Sequence, residues 1–346
     1  MEILWFCLVA LMLAVYVVLD GFDLGAGIVH FLVGRSDDER RAVLRAVGPV
    51  WDGNEVWLLA AAGTLYCAFP GLYASSFSGL YLLLMMVLWL LILRGLSIEF
   101  RNHAHSALGR QLWDVVFAWA SGLLAVFLGA ALGNVMRGVP LDASGFFFLP
   151  LWTNFQPGAA AGILDWYTVL VGVAALAALA QHGALWVALK SEAPLEERAR
   201  SVAAVAWYFA AGMTLVVAGA TLRLQPLLGA NLRAHPWGYL FPALALAALG
   251  ALRGFLAQGD HIRAFLSSCA YLAGMLASAA FGLFPYVLPS NGDPHYGLTI
   301  WNTATTSHGL RVALAWWIPG MLLVLVYFVF VYRHFRGKVR ADAETY

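Results

Sequence analysis

Hydrophobic positions fall along this chain in long unbroken runs, not in the alternation of half-buried strands or the one-sided stripe of a surface helix. Runs of ~20 residues match a hydrocarbon core of ~30 Å. They predict helices near 3–33, 47–69, 76–98, 113–136, 163–189, 202–222, 238–257, 263–286 and 312–333, with ends good to a few residues. The first run is longer than a span needs and is expected to tilt or to project beyond the membrane. The expectation is an all-α polytopic membrane protein of about nine transmembrane helices in a single membrane domain, 1–346. Within it, 1–137 and 163–286 would form two four-helix bundles, with 312–333 as an extra peripheral helix. The links SDDERRAVLR and APLEERARSV, and the loops PLWTNF and TIWNTATTS, suggest an internal repeat. Shared interfacial composition explains the same similarity equally well.

Composition sharpens the class. Of the residues, 62% are hydrophobic and 11% charged, and the mean hydropathy is +0.77, which excludes an ordinary soluble domain. A net charge of +1 gives no reason to expect a nucleic-acid partner. Cys7, Cys67 and Cys269 all lie in apolar runs, against a disulfide framework or a paired-cysteine metal site. The opening MEILWF has no Lys or Arg before its apolar run and reads as an uncleaved first span. Loop charge then orients the set: about 16 of the 20 Lys and Arg fall on the side holding GRSDDERRAVLR, RGLSIEFRNHAHSALGR, KSEAPLEERAR, the Arg253–Arg263 link and the tail YRHFRGKVR. That side is expected to be cytoplasmic, with the N-terminus periplasmic and the C-terminus cytoplasmic.

Acids inside spans are the candidate chemistry. Asp20 and Asp23 of VLDGFDLGAG lie three apart on one helical face, and Asp52 and Glu55 of GPVWDGNEVWLL repeat that spacing. At 1.5 Å per residue, Asp20 and Asp52 both sit ~26 Å from the outer surface, near the cytoplasmic boundary. A carboxylate in hydrocarbon costs roughly 2.5–3.5 kcal/mol even on lenient scales, so acids here are candidates for a proton path or a cation site. The structural alternatives are that Asp52 caps its helix or faces headgroups, and that Asp23 pairs with an Arg such as Arg35. Gly21, Gly25 and Gly27 would admit a close neighbour to the first helix. Most of the nine histidines fall in loops or at span ends, and His30 and His182 read as interfacial or core residues, so haem ligation by this chain is not expected. Trp5, Trp51, Trp113, Trp152, Trp237 and Trp301 lie near span ends, as an aromatic belt requires.

DGFDLGAG, GPVWDGNEVWLL, FSGLYLLL, GNVMRGVP, FPYVLPS and LTIWNTATTS, in this order over essentially the whole chain, resemble subunit II of the cytochrome bd ubiquinol oxidases. The LRGLSIEFR stretch is similar to the cyanide-insensitive branch. The resemblance implies an obligate partner, subunit I, carrying two b-type haems, a d- or b-type haem at the oxygen site and the quinol-oxidising loop. It implies a complex in the bacterial inner membrane that oxidises ubiquinol, reduces O2 to water and takes its chemical protons from the cytoplasm without pumping. A small single-helix subunit and a structural ubiquinone in this chain are further possibilities of the family, the latter with no residues assigned. The implied proton route matches Asp20 and Asp52; Asp23 and Glu55 join them by spacing, with Glu55 at a variable position of the motif. Two readings compete with this one. A proton-coupled secondary transporter would also use membrane acids and glycine-rich helices, and a purely structural subunit would use the acids only to pair or cap.

Overall fold

The computed structural model describes residues 1–158 and 160–339, so Arg340 of the basic tail lies outside the described residues. The described residues form thirteen α-helices, two single 3-10 turns and one small hairpin. The α-helices are α1 (Glu2–Ile28), α2 (His30–Val33), α3 (Asp37–Val47), α4 (Trp51–Ala68), α5 (Pro70–Gly79), α6 (Tyr81–Arg101), α7 (Ala107–Arg137), α8 (Trp166–Lys190), α9 (Leu195–Leu224), α10 (Pro226–Ala234), α11 (Leu240–Gln258), α12 (His261–Leu283) and α13 (Ser307–His334), with β1 (Tyr286–Leu288) pairing antiparallel to β2 (Leu298–Thr299).

Eight helices among the described residues are long and apolar enough to cross a membrane: α1, α6, α7, α8, α9, α11 with the turn before it, α12 and α13. The second expected span is the exception. It forms α4, only 18 residues long, and Asp52, Asn54 and Glu55 in its first turns keep it out of the apolar set. The expected run 3–33 is broken at Val29 into α1 and the single turn α2. The stretches 34–46 and 70–79 carry helices of their own, α3 and α5.

α1 is the central element, packing against α4, α7, α8 and α12. Its glycines make this possible. A Cβ on Gly25 would overlap the Leu179 carbonyl and the Gly183 backbone, and a Cβ on Gly183 would overlap the backbone of Gly25. α1 and α8 therefore cross backbone to backbone, as small residues allow in membranes. Beside the crossing, Phe22 stacks on Trp186 at 4.0 Å between centroids, and the Trp186 indole donates to the Ala46 carbonyl at 2.9 Å. At the other extreme, no residue of the apolar stretch of α13 is buried within the chain; its Trp316 is 78% exposed.

The end of the bundle formed by the start of α4 and α9 is tied by charged side chains. Ser36 and Glu39 form a reciprocal cap on α3. Arg198 of α9 pairs with Glu39 and donates to the Val33 carbonyl at 2.8 Å. Burial alone would push the Glu39 carboxyl up, but the hydrogen bonds from Arg198 and from the Arg35 and Ser36 amides outweigh it and hold the group below the ordinary glutamate value. A carboxyl depressed in the folded state stabilises at pH above its unfolded value, and the contribution is lost as pH falls through the folded one. Glu39→Gln is therefore expected to lower the thermal midpoint by about 1–2 °C at neutral pH, with the gap closing on acidification below the usual glutamate range. Thermal scans across pH check this, and a gap independent of pH would contradict it.

Candidate functional site

Asp20 and Asp23 both point into the bundle and are fully buried. The group that meets them is Arg94, also fully buried, from the apolar interior of α6. Its Nη1 donates to Asp20 Oδ1 at 2.6 Å and its Nη2 to Glu55 Oε2 at 2.5 Å. One guanidinium thus bridges α1 and α4. One turn further along α1, Asp23 Oδ2 accepts from Asn54 Nδ2 at 2.7 Å, and Asn54 Oδ1 accepts from the Tyr332 hydroxyl of α13 at 2.9 Å. Charged bonds of this length are about twice as strong as neutral ones, and the planar guanidinium suits two carboxylates at once.

The cluster is not saturated. Asp20 Oδ2, Asp23 Oδ1 and Arg94 Nε are buried and make no hydrogen bond. Tyr16, one turn before Asp20, brings its buried hydroxyl beside it. With three carboxyl groups to one cation, the set can take up and release a proton without leaving Arg94 unpaired, and open carboxylate oxygens are where the proton or a bridging water would attach.

Asp52 lies elsewhere. It is exposed at the start of α4, three residues before Glu55. The acid that shares Arg94 with Asp20 is Glu55, one turn deeper into α4 than the expected Asp52. Asp23 meets Asn54 and not Arg35, whose amide instead donates to Glu39 at 2.8 Å. Arg94 lies inside the expected span 76–98, where the loop-charge count also includes it; α6 runs three residues further, to Arg101, and both arginines are buried within it. The available signal was their seven-residue spacing, two turns on one face, within an apolar run.

Arg101 belongs to a second cluster. Its Nε donates to Asp114 Oδ1 at 3.0 Å, and Asp114 also receives His30 Nε2 at 2.9 Å and pairs with Arg40 at 3.2 Å. Arg101 reaches on to Asp37 at 2.8 Å. Both oxygens of Asp114 are thus occupied, in contrast to those of Asp20 and Asp23. Breaking a buried pair by removing one partner costs roughly 3–5 kcal/mol, so Asp114→Asn is expected to lower the amount of assembled protein more than the activity of each assembled molecule. Turnover normalised to assembled protein checks this; normal abundance with turnover lost would contradict it.

A haem held here would need an imidazole aimed into open space. His182 is engaged at both nitrogens, with Ser268 Oγ at 2.6 Å and the Val18 carbonyl at 2.9 Å. His30 is held by Asp114, with Phe31 and Phe117 edge-on against its ring. The buried histidines do not fit that role, and among the described residues no three His, Cys, Asp or Glu side chains are grouped to hold a metal ion.

The family model for cytochrome bd terminal oxidase subunit II matches residues 1–335. The chain belongs to this family. It is 31% identical to the probable cytochrome oxidase subunit 2 of Haemophilus influenzae, over 99% of this chain and 96% of that one. It is 30% identical to the cytochrome bd-I ubiquinol oxidase subunit 2 of Escherichia coli K12, with the same coverage. The bd oxidase structure from Geobacillus thermodenitrificans shares the fold, with a TM-score of 0.76 at 20% identity over 96% of this chain and 98% of that one. As a subunit II, the chain is part of an oxidoreductase complex with a subunit I, and the family's haems are carried by that partner.

Proposed function

We propose that this chain supports subunit I in oxidising ubiquinol and reducing O2 to water, and lines part of the path by which protons from the cytoplasm reach the oxygen site. The observation that carries the reading is the buried set Asp20, Glu55 and Arg94, with open oxygens on Asp20 and on neighbouring Asp23. Asp52, exposed three residues before Glu55, is the acid that collects protons from solvent; Glu55 passes them inward, and Asp20 and Asp23 take them up on their free oxygens. Arg94 keeps each carboxylate matched by charge when it loses its proton. The charge asymmetry of the loops supports a periplasmic N-terminus and a cytoplasmic C-terminus in the inner membrane.

Subunit I would hold two b-type haems and a d- or b-type haem, and a small single-helix subunit would complete the assembly. A structural ubiquinone in this chain would find apolar walls beside polar atoms in the cleft of about 400 Å3 where Phe148, Leu149 and Trp166 face Arg137 and Asn291. The transporter reading has no comparable support, since the relatives are oxidase subunits.

Oxygen consumption by the purified two-subunit complex tests the order of the acids. Glu55→Gln is expected to slow turnover about tenfold, and Asp52→Asn about two- to threefold, because water can bypass an exposed acid. Wild-type rates in both variants would contradict the reading.

A further inference from the structure

At the charged end of the bundle, α9 and α11 part below the hydrogen bond from the Trp207 indole to the Leu249 carbonyl, 2.8 Å long. The cleft between them, about 260 Å3, is lined by Arg200, Ser201 and Ala204 of α9 and Arg253, Leu256 and Ala257 of α11. Other basic side chains on the neighbouring segments are matched: Arg198 pairs with Glu39, Arg263 with Asp260, and His261 and Lys338 with Glu196. Arg200 and Arg253 are not. Among the described residues neither forms an ion pair or a side-chain hydrogen bond, and no acid lines the cleft. Arg253 is steadied by the Tyr208 ring, its Cζ 5.9 Å from the centroid, which orients the guanidinium without neutralising it.

Beyond the cleft, toward the middle of the spans, both helices turn apolar side chains outward. Val205, Tyr208 and Phe209 of α9 and Leu246 of α11 are 50% to 64% exposed. Two unneutralised guanidinium groups at the end of two spanning helices, continuous with an apolar wall, form an amphipathic site with one complement: a phosphodiester at the level of the arginines with acyl chains along the wall. We propose that the Arg200–Arg253 cleft binds the headgroup of an anionic phospholipid. The two arginines share its phosphate oxygens, the alanines leave room for it, and the lipid fills the gap between α9 and α11. The proposal is independent of the proton path, which lies across the bundle on α1, α4 and α6.

The test is native mass spectrometry of the intact two-subunit complex, delipidated in detergent and titrated with phosphatidylglycerol or phosphatidylcholine. The wild type is expected to prefer phosphatidylglycerol, and the R200Q/R253Q complex to bind it about thirtyfold more weakly. Arg263→Gln, which removes a matched arginine outside the cleft, should bind as the wild type does. Millimolar inorganic phosphate should not displace the lipid. Absence of a preference in the wild type, undiminished binding in R200Q/R253Q, or full displacement by inorganic phosphate would each overturn the proposal, the last by making the cleft a free-anion site.

Discussion

Asp20→Asn is expected to lower the oxygen-consuming turnover of the assembled complex by about a hundredfold, within the range that positioned proton-transfer groups contribute. The substitution is nearly isosteric. Asn can still accept a hydrogen bond from Arg94 through its side-chain oxygen, and Arg94 keeps its bond to Glu55, so no buried charge is left without a partner. What is removed is the carboxylate that can alternate between charged and neutral. The haem content of the purified complex is therefore expected to stay at the wild-type level while turnover falls. Arg94→Gln makes the contrast. It leaves Asp20, Asp23 and Glu55 with no cation among them, at a cost of roughly 3–5 kcal/mol, and the assembled complex itself is expected to be lost. Haem content and turnover, measured together in the two variants, separate a proton-transfer role from a structural one. Full turnover in Asp20→Asn would remove Asp20 from the path.

Gly183→Ala is expected to have the largest effect on folding. Its Cβ would occupy the space of the Gly25 backbone, and backbone atoms cannot move aside as a flexible side chain does. Nor can α1 retreat, because α4, α7 and α12 pack around it. Overpacking a well-filled interior costs about 1–3 kcal/mol, and more where backbone must shift. Membrane abundance of the complex should accordingly collapse. Gly212→Ala is the control, since nothing lies within 4 Å of a Cβ built there. Wild-type abundance for Gly183→Ala would contradict a backbone-to-backbone crossing of α1 and α8.

The spans were legible because every lipid-facing stretch must be apolar and helical, so length and hydropathy report them directly. Asp20 and Asp23 were legible for the complementary reason, that charge inside such a stretch is costly. Arg94 was not, although it makes the site. It lies 74 residues from Asp20 in sequence and near the end of the expected span 76–98, where an arginine reads as interfacial charge, and its spacing to Arg101 marks a face of α6 without naming the partner on another helix. For the same reason the sequence sets Asp52, not Glu55, at the level of Asp20. Asp52 and Glu55 differ by one turn, ~4.5 Å along the axis, which is finer than helix ends can be read from sequence. Asn54 gives no signal of its own, because a neutral amide between two acids reads as part of a cap, and its partners Asp23 and Tyr332 come from other helices. α3 was hidden by its charge, since SDDERRAVLR reads equally as a polar link and as a capped amphipathic helix.

The most direct test of the proton path is a single turnover. The fully reduced two-subunit complex is mixed with O2 in weakly buffered solution, while haem oxidation and proton uptake from the medium are followed together by absorbance and a pH indicator. With Asp20 intact, uptake should keep pace with the oxidation steps that form water. In Asp20→Asn, O2 binding should be unchanged while proton uptake and the later oxidation slow together by at least about tenfold. Proton uptake at the wild-type rate in that variant would contradict the account.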